Sequence, residues 1–541
     1  MRERRQVHCW GRFETALLVP LGQGEDPLRS VRLEAEFTAP SGRLYHVPGF
    51  WDGGTTWRVR FAPGEVGSWR YSARALHNVS GAALGTASGT LECVPYEGDN
   101  PLYRHGPPRM ALNRRHLVHA DGTPFFWLSD TVWNGPMLAT PEEWDHYIRL
   151  RLVQGFTTAQ YVSTQYRTVP DGGPDGPPYT TPSGDPGTPR IGAMRPPFFR
   201  RLDQRLDALA DAGLAGAPVL LWAIDRGENA FANPGHVLSE DDCILLARYQ
   251  VARWHAHPVV FILNGDGRYT GEDAPRWQRI GRVVFAANET GVPVATHPSG
   301  RQWVGAEFRD EPWLDIIGYQ SGHGDDEASW RWLVEGPPAR HWQDVPRQAV
   351  LNLEPCYENH LAYHSRHPFT AADVRRACYW SLLVTPTAGV SYGGHGAWGW
   401  DDGSGPPVAH PHTGTPLPWQ QALEMLGAWQ MRHLRDAFAM LPWWTLTPDQ
   451  SLLRQQPGEA DVLRYVAAAR NEDGTLAVLY LPQGTTLSLN TARLAPSLRC
   501  TWLNPRDGSQ VAGGVLRRAE ADEARLEAPD AEDWLLVLQA T

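Results

Sequence analysis

The sequence predicts an α/β protein: a (β/α)8 barrel of the TIM type, flanked by an N-terminal and a C-terminal β-sandwich. Two observations carry this reading. Between residues 96 and 441, short apolar runs alternate eight times with amphipathic stretches, the rhythm of strand–helix units around a closed parallel sheet. On either side, in 1–95 and 442–541, the periodicity drops to two, as in half-buried strands. The length of 541 residues asks for more than one domain in any case.

In the first domain VRLEAEFTA (Val31–Ala39), TWRVRFAP (Thr56–Pro63) and GSWRYSARA (Gly67–Ala75) alternate apolar and polar positions. Turn signals at Ser41 and Asp52 separate them, the pattern of a small sandwich read as scaffold. Cys9 and Cys93 fall near the two ends of this domain and form the one candidate disulfide. The six cysteines are otherwise scattered without a CxxC pair, which argues against structural zinc or a disulfide framework.

The middle region supplies eight candidate strands. They are Pro124–Asp130, Thr157–Thr164, Ala217–Asp225, Val259–Asp266, Val292–Gly300, Leu314–Gly322, Gln348–Pro355 and Ala388–Gly396. PEEWDHYIRLRLVQG, FFRRLDQRLDALADAG and DDCILLARYQVARWHAH are amphipathic helices between them, and the weakest helix signal follows the fifth strand. One long helix, Pro418–Leu441, closes the region. A doubly wound sheet is the alternative fold, but no GxGxxG follows the first strand. Val169–Pro196, rich in Pro, Gly, Asp and Thr, follows the second strand and reads as a lid or wall over the site. In the last domain LAVLYLPQG, TLSLN and DWLLVLQA are strands, with turns at NEDG and NPRDG.

Composition narrows the function. A net charge of −11 without a basic tract argues against nucleic acid as partner. No apolar run approaches the ~20 residues of a membrane span. The opening MRERRQVHCWGRFETALLVP has no apolar core before a cleavage site, so the expected location is the cytoplasm, with secretion as the alternative. Twenty-four Trp suit either sugar platforms or sandwich cores. Oligomeric state has no signal.

In such a barrel the chemistry lies just beyond the C-terminal strand ends. The polar residues there are Asp130 with Trp133 (first strand), Gln160 (second), Asn264 and Asp266 (fourth) and His297 (fifth). The sixth offers Tyr319, Gln320 and His323, the seventh Glu354, Tyr357 and Glu358, the eighth Tyr392, His395, Trp398 and Trp400. Strands four and seven face each other across the barrel, so Asp266 and Glu354 can flank one bond, as glycoside cleavage requires. His297, His323 and His395 could in principle hold zinc, but no HxxxH or HExxH spacing supports it. The reading therefore assigns no metal and no cofactor.

From Asp121 through Leu441 the chain resembles the apiosidase-like (β/α)8 glycoside hydrolases of the retaining clan A type. The resemblance is carried by PFFWLSDTVWN, EEWDHYIRLRLVQGFTTAQ, VFILNGD, LNLEPCYE and RRACYWSLLVTPTAGVSYGGHGAWGW. The first domain, through VPGFWDGGTTWRVRFAPGEVGSWRYS, resembles the sandwich that often precedes this barrel. The last resembles the small sandwich, labelled as collagen-binding, that often follows; nothing in these residues points to collagen. The resemblance implies Asp266 as acid/base and Glu354 as nucleophile, with Glu358 the rival. This chain carries Asn264 where the family usually has the first glycine of Gly-Gly-Asp. Arg268 would oppose a protonated Asp266, so it is expected to point away.

The expected function is removal of a terminal sugar from plant-type or related oligosaccharides by a retaining, two-carboxylate mechanism. The other residues named at the strand ends, from Asp130 to Trp398, are expected to bind substrate, apart from Glu358; Trp133, Trp398 and Trp400 are either sugar platforms or packing at the barrel rim. The alternatives are a non-catalytic carbohydrate-binding barrel, another exo-glycosidase such as an arabinofuranosidase or β-glycosidase, and a structural or adhesive protein.

Overall fold

The computed structural model describes residues 5–22, 24–181, 190–286, 288–518 and 522–541. Residues 182–189, the middle of the expected lid, lie outside the described residues. Eight parallel strands close a barrel: β1 Trp127–Thr131, β2 Thr158–Val162, β3 Ala215–Leu221, β4 Phe261–Asn264, β5 Val294–Ala295, β6 Ile316–Gln320, β7 Ala349–Glu354 and β8 Gly389–Gly393. Closure is made by β1 against β8, Trp127 opposite Gly389 through Thr131 opposite Gly393. The helices that cover it are α1 Pro141–Val153, α2 Pro196–Ala212, α3 Glu240–Trp254, α4 Ala274–Val284, α5 Gly305–Phe308, α6 Glu327–Glu335, α7 Ala371–Leu383 and α8 Leu426–Ala439.

Local chemistry sets several boundaries. Thr140 and Glu143 form a reciprocal capping box at the start of α1, and Thr370 with Asp373 does the same for α7. Gly213, at φ 96°, ends α2 in the left-handed conformation that favours glycine. Strand five is the shortest, because Pro293 and Pro298 lack the amide hydrogens a longer ladder would use. The helix after it is a single turn, matching the weakness of its signal.

Two elements differ from expectation. Pro124 and Phe125 pair with Val118 and Leu117 in a separate antiparallel sheet, so the first barrel strand begins at Trp127. The long C-terminal helix is broken, as Trp419–Leu423 and α8, where Met425 turns extended (φ −57°, ψ 148°). The break frees the first amides of α8 to meet Glu358, whose Oε1 accepts from Gly427 N at 3.0 Å.

The first sandwich sets a five-stranded sheet against a three-stranded one, within 5–94, and the last spans 447–540. They dock on the barrel by different physics. The first uses buried charge: Arg253 bonds Asp203 and Asp52, while Arg60 bonds Asp203 at 2.7 Å and the Arg253 carbonyl at 2.9 Å. The last uses apolar area, Val478, Tyr480, Leu535 and Val537 belonging to the same core as the barrel. Tyr379 of α7 stacks on Tyr480 at 4.6 Å.

Candidate active site

The segment Val259–Tyr269 carries β4 into Asn264, Gly265 and Asp266. Neither Gly265 nor Gly267 has a positive φ, so neither is needed for a left-handed turn. They are needed for space. A Cβ on Gly265 would lie 2.1 Å from the Trp222 ring, and one on Gly267 would lie 2.5 Å from the Tyr269 hydroxyl. The Tyr269 hydroxyl donates to the Gly265 carbonyl and pins the strand end from below. The glycines let two aromatic rings pack against the backbone that presents Asp266.

Gln320, at the end of β6, donates from Nε2 to Asp266 Oδ1 at 2.5 Å and to the Pro298 carbonyl at 2.8 Å. Burial, then the charge of Glu354, push the Asp266 carboxyl up to about 7; Gln320, Arg167 and Arg226 oppose this without overcoming it. Arg268 points to solvent, 3.4 Å from Asp225 and 3.5 Å from Asp273.

Glu354 ends β7 and receives His323. The Tyr357 amide donates to His323 Nδ1 at 3.3 Å, so the ring proton sits on Nε2, which meets Glu354 Oε1 at 3.0 Å. Burial works to raise the Glu354 carboxyl, but the His323 hydrogen bond, the His323 and His297 rings and the Tyr357 hydroxyl outweigh it and hold the group low. Two neighbouring carboxyls are thus pushed apart, one toward the acid and one toward the anion. His297 lies between them, fully buried: Nδ1 is 4.0 Å from Asp266 and Nε2 is 3.6 Å from Glu354, and neither nitrogen has a hydrogen-bond partner. The Trp133 ring meets His297 edge-on at 5.3 Å, and its indole N–H donates to the Tyr357 hydroxyl at 3.2 Å.

These groups line a cavity of about 320 Å³ at the C-terminal end of the barrel. Of the expected residues, Asp266, Glu354, Trp133, Gln320, His323, Tyr357 and Trp398 face it. His297 lies under the two carboxyls and outside the lining. Gln160 and Asn264 sit deeper in the barrel. Gln160 donates to Thr131 Oγ1 and the Leu353 carbonyl, while Asn264 Nδ2 has no partner. His395 is buried behind the wall, 5.2 Å from the His360 ring and 6.4 Å from Trp398.

Three further expected residues point away from the barrel interior: Asp130, Tyr319 and Tyr392. The reason is the period of two, which turns every second strand residue away from the barrel interior. Asp130 bonds Arg151 of α1 at 2.8 Å. Tyr319 is in register with Asn352, whose amide reaches Ser381 of α7. Tyr392 donates to Glu358 at 2.7 Å. That bond and the α8 amides occupy Glu358, which does not face the cavity; of the two glutamates, Glu354 does. Trp400 stacks on Trp419 at 4.2 Å, away from the cavity.

The sequence reading missed Tyr166, Arg167, Trp222, Arg226, His360 and His410, which line the cavity. Trp222 and Arg226 carried a signal, since both stand at the end of the third candidate strand. His410 carried none, coming from an irregular segment. Of the expected lid, Tyr166 and Arg167 just before it reach the cavity, and Thr180 pairs with Ala193 and Gly192 across its base. Among the described residues no group of His, Cys, Asp and Glu is placed to hold a metal ion.

Comparison with known proteins agrees with this architecture. Residues 111–445 match the family described as "Apiosidase-like, catalytic domain". Residues 6–75 match a domain of unknown function, and 447–539 match one described as "Putative collagen-binding domain of a collagenase". No curated protein matches the chain. Among solved structures, a "putative glycoside hydrolase" from Bacteroides vulgatus ATCC 8482 is 17% identical, with a TM-score of 0.72 over 99% of this chain and 100% of that one. A "glycoside hydrolase family 5" protein from the same organism is 21% identical, with a TM-score of 0.68 over 82% and 95% of the two chains. At these identities the likeness is one of fold. The family match covers well over half of the chain, so this protein is a glycosidase belonging to the apiosidase-like family, its catalytic domain the (β/α)8 barrel.

Proposed function

We propose that the protein removes a terminal sugar from an oligosaccharide by two-step retaining hydrolysis, as the sequence resemblance implies. Asp266 protonates the glycosidic oxygen while Glu354 attacks the anomeric carbon. Asp266, now ionised, then draws a proton from the water that releases the glycosyl-enzyme. The observation that carries this reading is the opposite tuning of the two carboxyls over one shared imidazole. His323 supports it by fixing one oxygen of Glu354 so that the other is free to attack. Trp133, Trp222 and Trp398 offer ring faces for the apolar side of a sugar, and Arg167, Arg226 and Arg301 in the wall favour a glycan that carries negative charge.

The test is a panel of aryl glycosides, including apioside, arabinofuranoside, xyloside, glucoside and galactoside, followed by proton NMR. The expected result is hydrolysis of one member, whose first-formed sugar keeps the anomeric configuration of the substrate. A first product of opposite configuration would assign Glu354 as a base acting through water and overturn the retaining mechanism. Silence across the panel would favour a glycan outside it, such as a negatively charged one, or the carbohydrate-binding alternative.

A further inference from the structure

A second cavity, also about 320 Å³, lies between the first sandwich and the barrel. Its barrel-side walls come from His255–Pro258, just before β4, and from Glu289–Gly291, just before β5. It therefore opens at the N-terminal end of the barrel, opposite Asp266 and Glu354. Its volume is at the lower end of the ~300–1,000 Å³ of small-molecule sites.

We propose that this cavity is a binding site for a sugar acid, a pyranose-sized ring carrying one carboxylate. Arg109 is the centre of the argument. Its guanidinium donates to the Pro108 carbonyl at 2.8 Å and lies 5.9 Å over the Trp10 ring, and no carboxylate lies within ion-pair distance among the described residues. Arg109 is partly buried, a guanidinium so placed without a counter-ion is costly, and an incoming carboxylate would relieve that cost. Burial lowers its pKa to about 10, which leaves it charged at neutral pH.

The other walls extend the match. His255 is 5% exposed, and neither ring nitrogen makes a well-formed hydrogen bond. Trp10 keeps a left-handed backbone, φ 63°, of the kind that costs energy outside glycine and is retained at ligand sites. A Cβ on Gly64 or Gly106 would fall 2.3 Å or 2.8 Å from its ring, so the indole lies flat on bare backbone. Tyr45 offers a second ring, with Arg43 4.6 Å above it. The one carboxylate in the lining, Glu289, is engaged by the His46 amide at 2.7 Å, and nearby Asp207 by Arg12 and His257. Cationic donors for a carboxylate, beside aromatic faces for a sugar ring, distinguish a sugar acid from a bare phosphate.

The test is calorimetric titration of the full-length protein with glucuronate and galacturonate, with glucose and inorganic phosphate as comparators. A uronate binding event is expected to weaken roughly tenfold or more in both Arg109→Gln and Trp10→Phe, while any event at the active-site cavity stays unchanged. Hydrolysis of a small aryl glycoside by these variants should stay unchanged, which separates this site from the catalytic one. Uronate affinity unaltered in both variants, or glucose bound as tightly as uronate, would overturn the proposal. Phosphate bound as tightly as uronate would overturn the sugar assignment. Where Arg109→Gln fails to fold, Arg43→Ala, at an exposed side chain, takes its place with the same expected loss and the same overturning result.

Discussion

At the scale of single residues, the site works by giving two similar carboxyls different surroundings. Asp266 loses hydration and faces Glu354; Glu354 loses hydration too, but receives the His323 proton and lies beside His297 and Tyr357. The pH dependence of kcat/KM follows with a definite sign. The proposed mechanism needs Asp266 protonated and Glu354 ionised, so the alkaline limb should fall as pH rises through about 7, while the acid limb lies below the ordinary carboxylate range. An alkaline limb that survives in Asp266→Asn would sink the assignment of that limb. Removing either carboxyl, in Asp266→Ala or Glu354→Ala, should slow hydrolysis of a natural substrate ~10²–10⁴-fold or more. His297 touches both carboxyls, so His297→Phe should shift the pH profile itself; a drop in rate with an unmoved profile would assign it to packing alone. Much of this was readable in the chain, because strand-end carboxylates are few and the barrel's chemistry lies at strand ends. Asp130, Tyr319 and Tyr392 were misplaced because a strand end alone does not say which of two alternating faces meets the cavity.

At the scale of elements, caps and docking charges hold the site's frame. Glu358 explains why a second glutamate follows Glu354: it closes the first amides of α8 and accepts from Tyr392. Asp203 of α2 is the hub of the contact with the first sandwich, bonded by Arg253, Arg60 and the Trp254 indole. Asp203→Ala would leave the buried Arg253 with Asp52 alone and Arg60 with Glu14 alone, a loss of up to ~3–5 kcal/mol, measurable by urea unfolding. A loss near zero would mean that water already compensates the arginines. Asp203 is also held well below the ordinary carboxylate pKa; burial opposes this, and Arg253 and Arg60 prevail. Its contribution is complete above the unfolded value near 3.8 and is lost as pH falls from there towards the folded value, so acid should loosen this interface first. Hydrogen exchange of 5–94 against the barrel, compared between about pH 5 and about pH 2, measures it.

At the scale of the whole molecule, the last sandwich completes the barrel's hydrophobic core. Val478, Tyr480, Leu535 and Val537 share that core, Tyr379 stacks on Tyr480, and Arg375 pairs with Asp533 at 2.7 Å. Cutting the chain after Leu446 would expose that face of α7, so the truncated protein should aggregate, and the full chain should unfold barrel and sandwich in one calorimetric transition. A soluble, active 1–446 would show the sandwich to be an independent module. The charge pattern belongs to this scale too. A chain with net charge −11 places arginines at the cavities on the C-terminal and N-terminal ends of its barrel, against its own average.

The sequence by itself determined the order of domains, the eight-unit barrel, the pair Asp266 and Glu354 as the carboxyls to watch, and the family they belong to. These are periodic or local properties, written in neighbouring residues. Tertiary structure alone decided that Gly265 and Gly267 make room for rings, that Glu358 caps a helix, and that His297 lies between two carboxyls from different strands. It also formed the second cavity, with Trp10 and Arg109 far apart in the chain from His255. Each of these depends on side chains brought together by barrel closure or domain docking, and no local pattern encodes such distances.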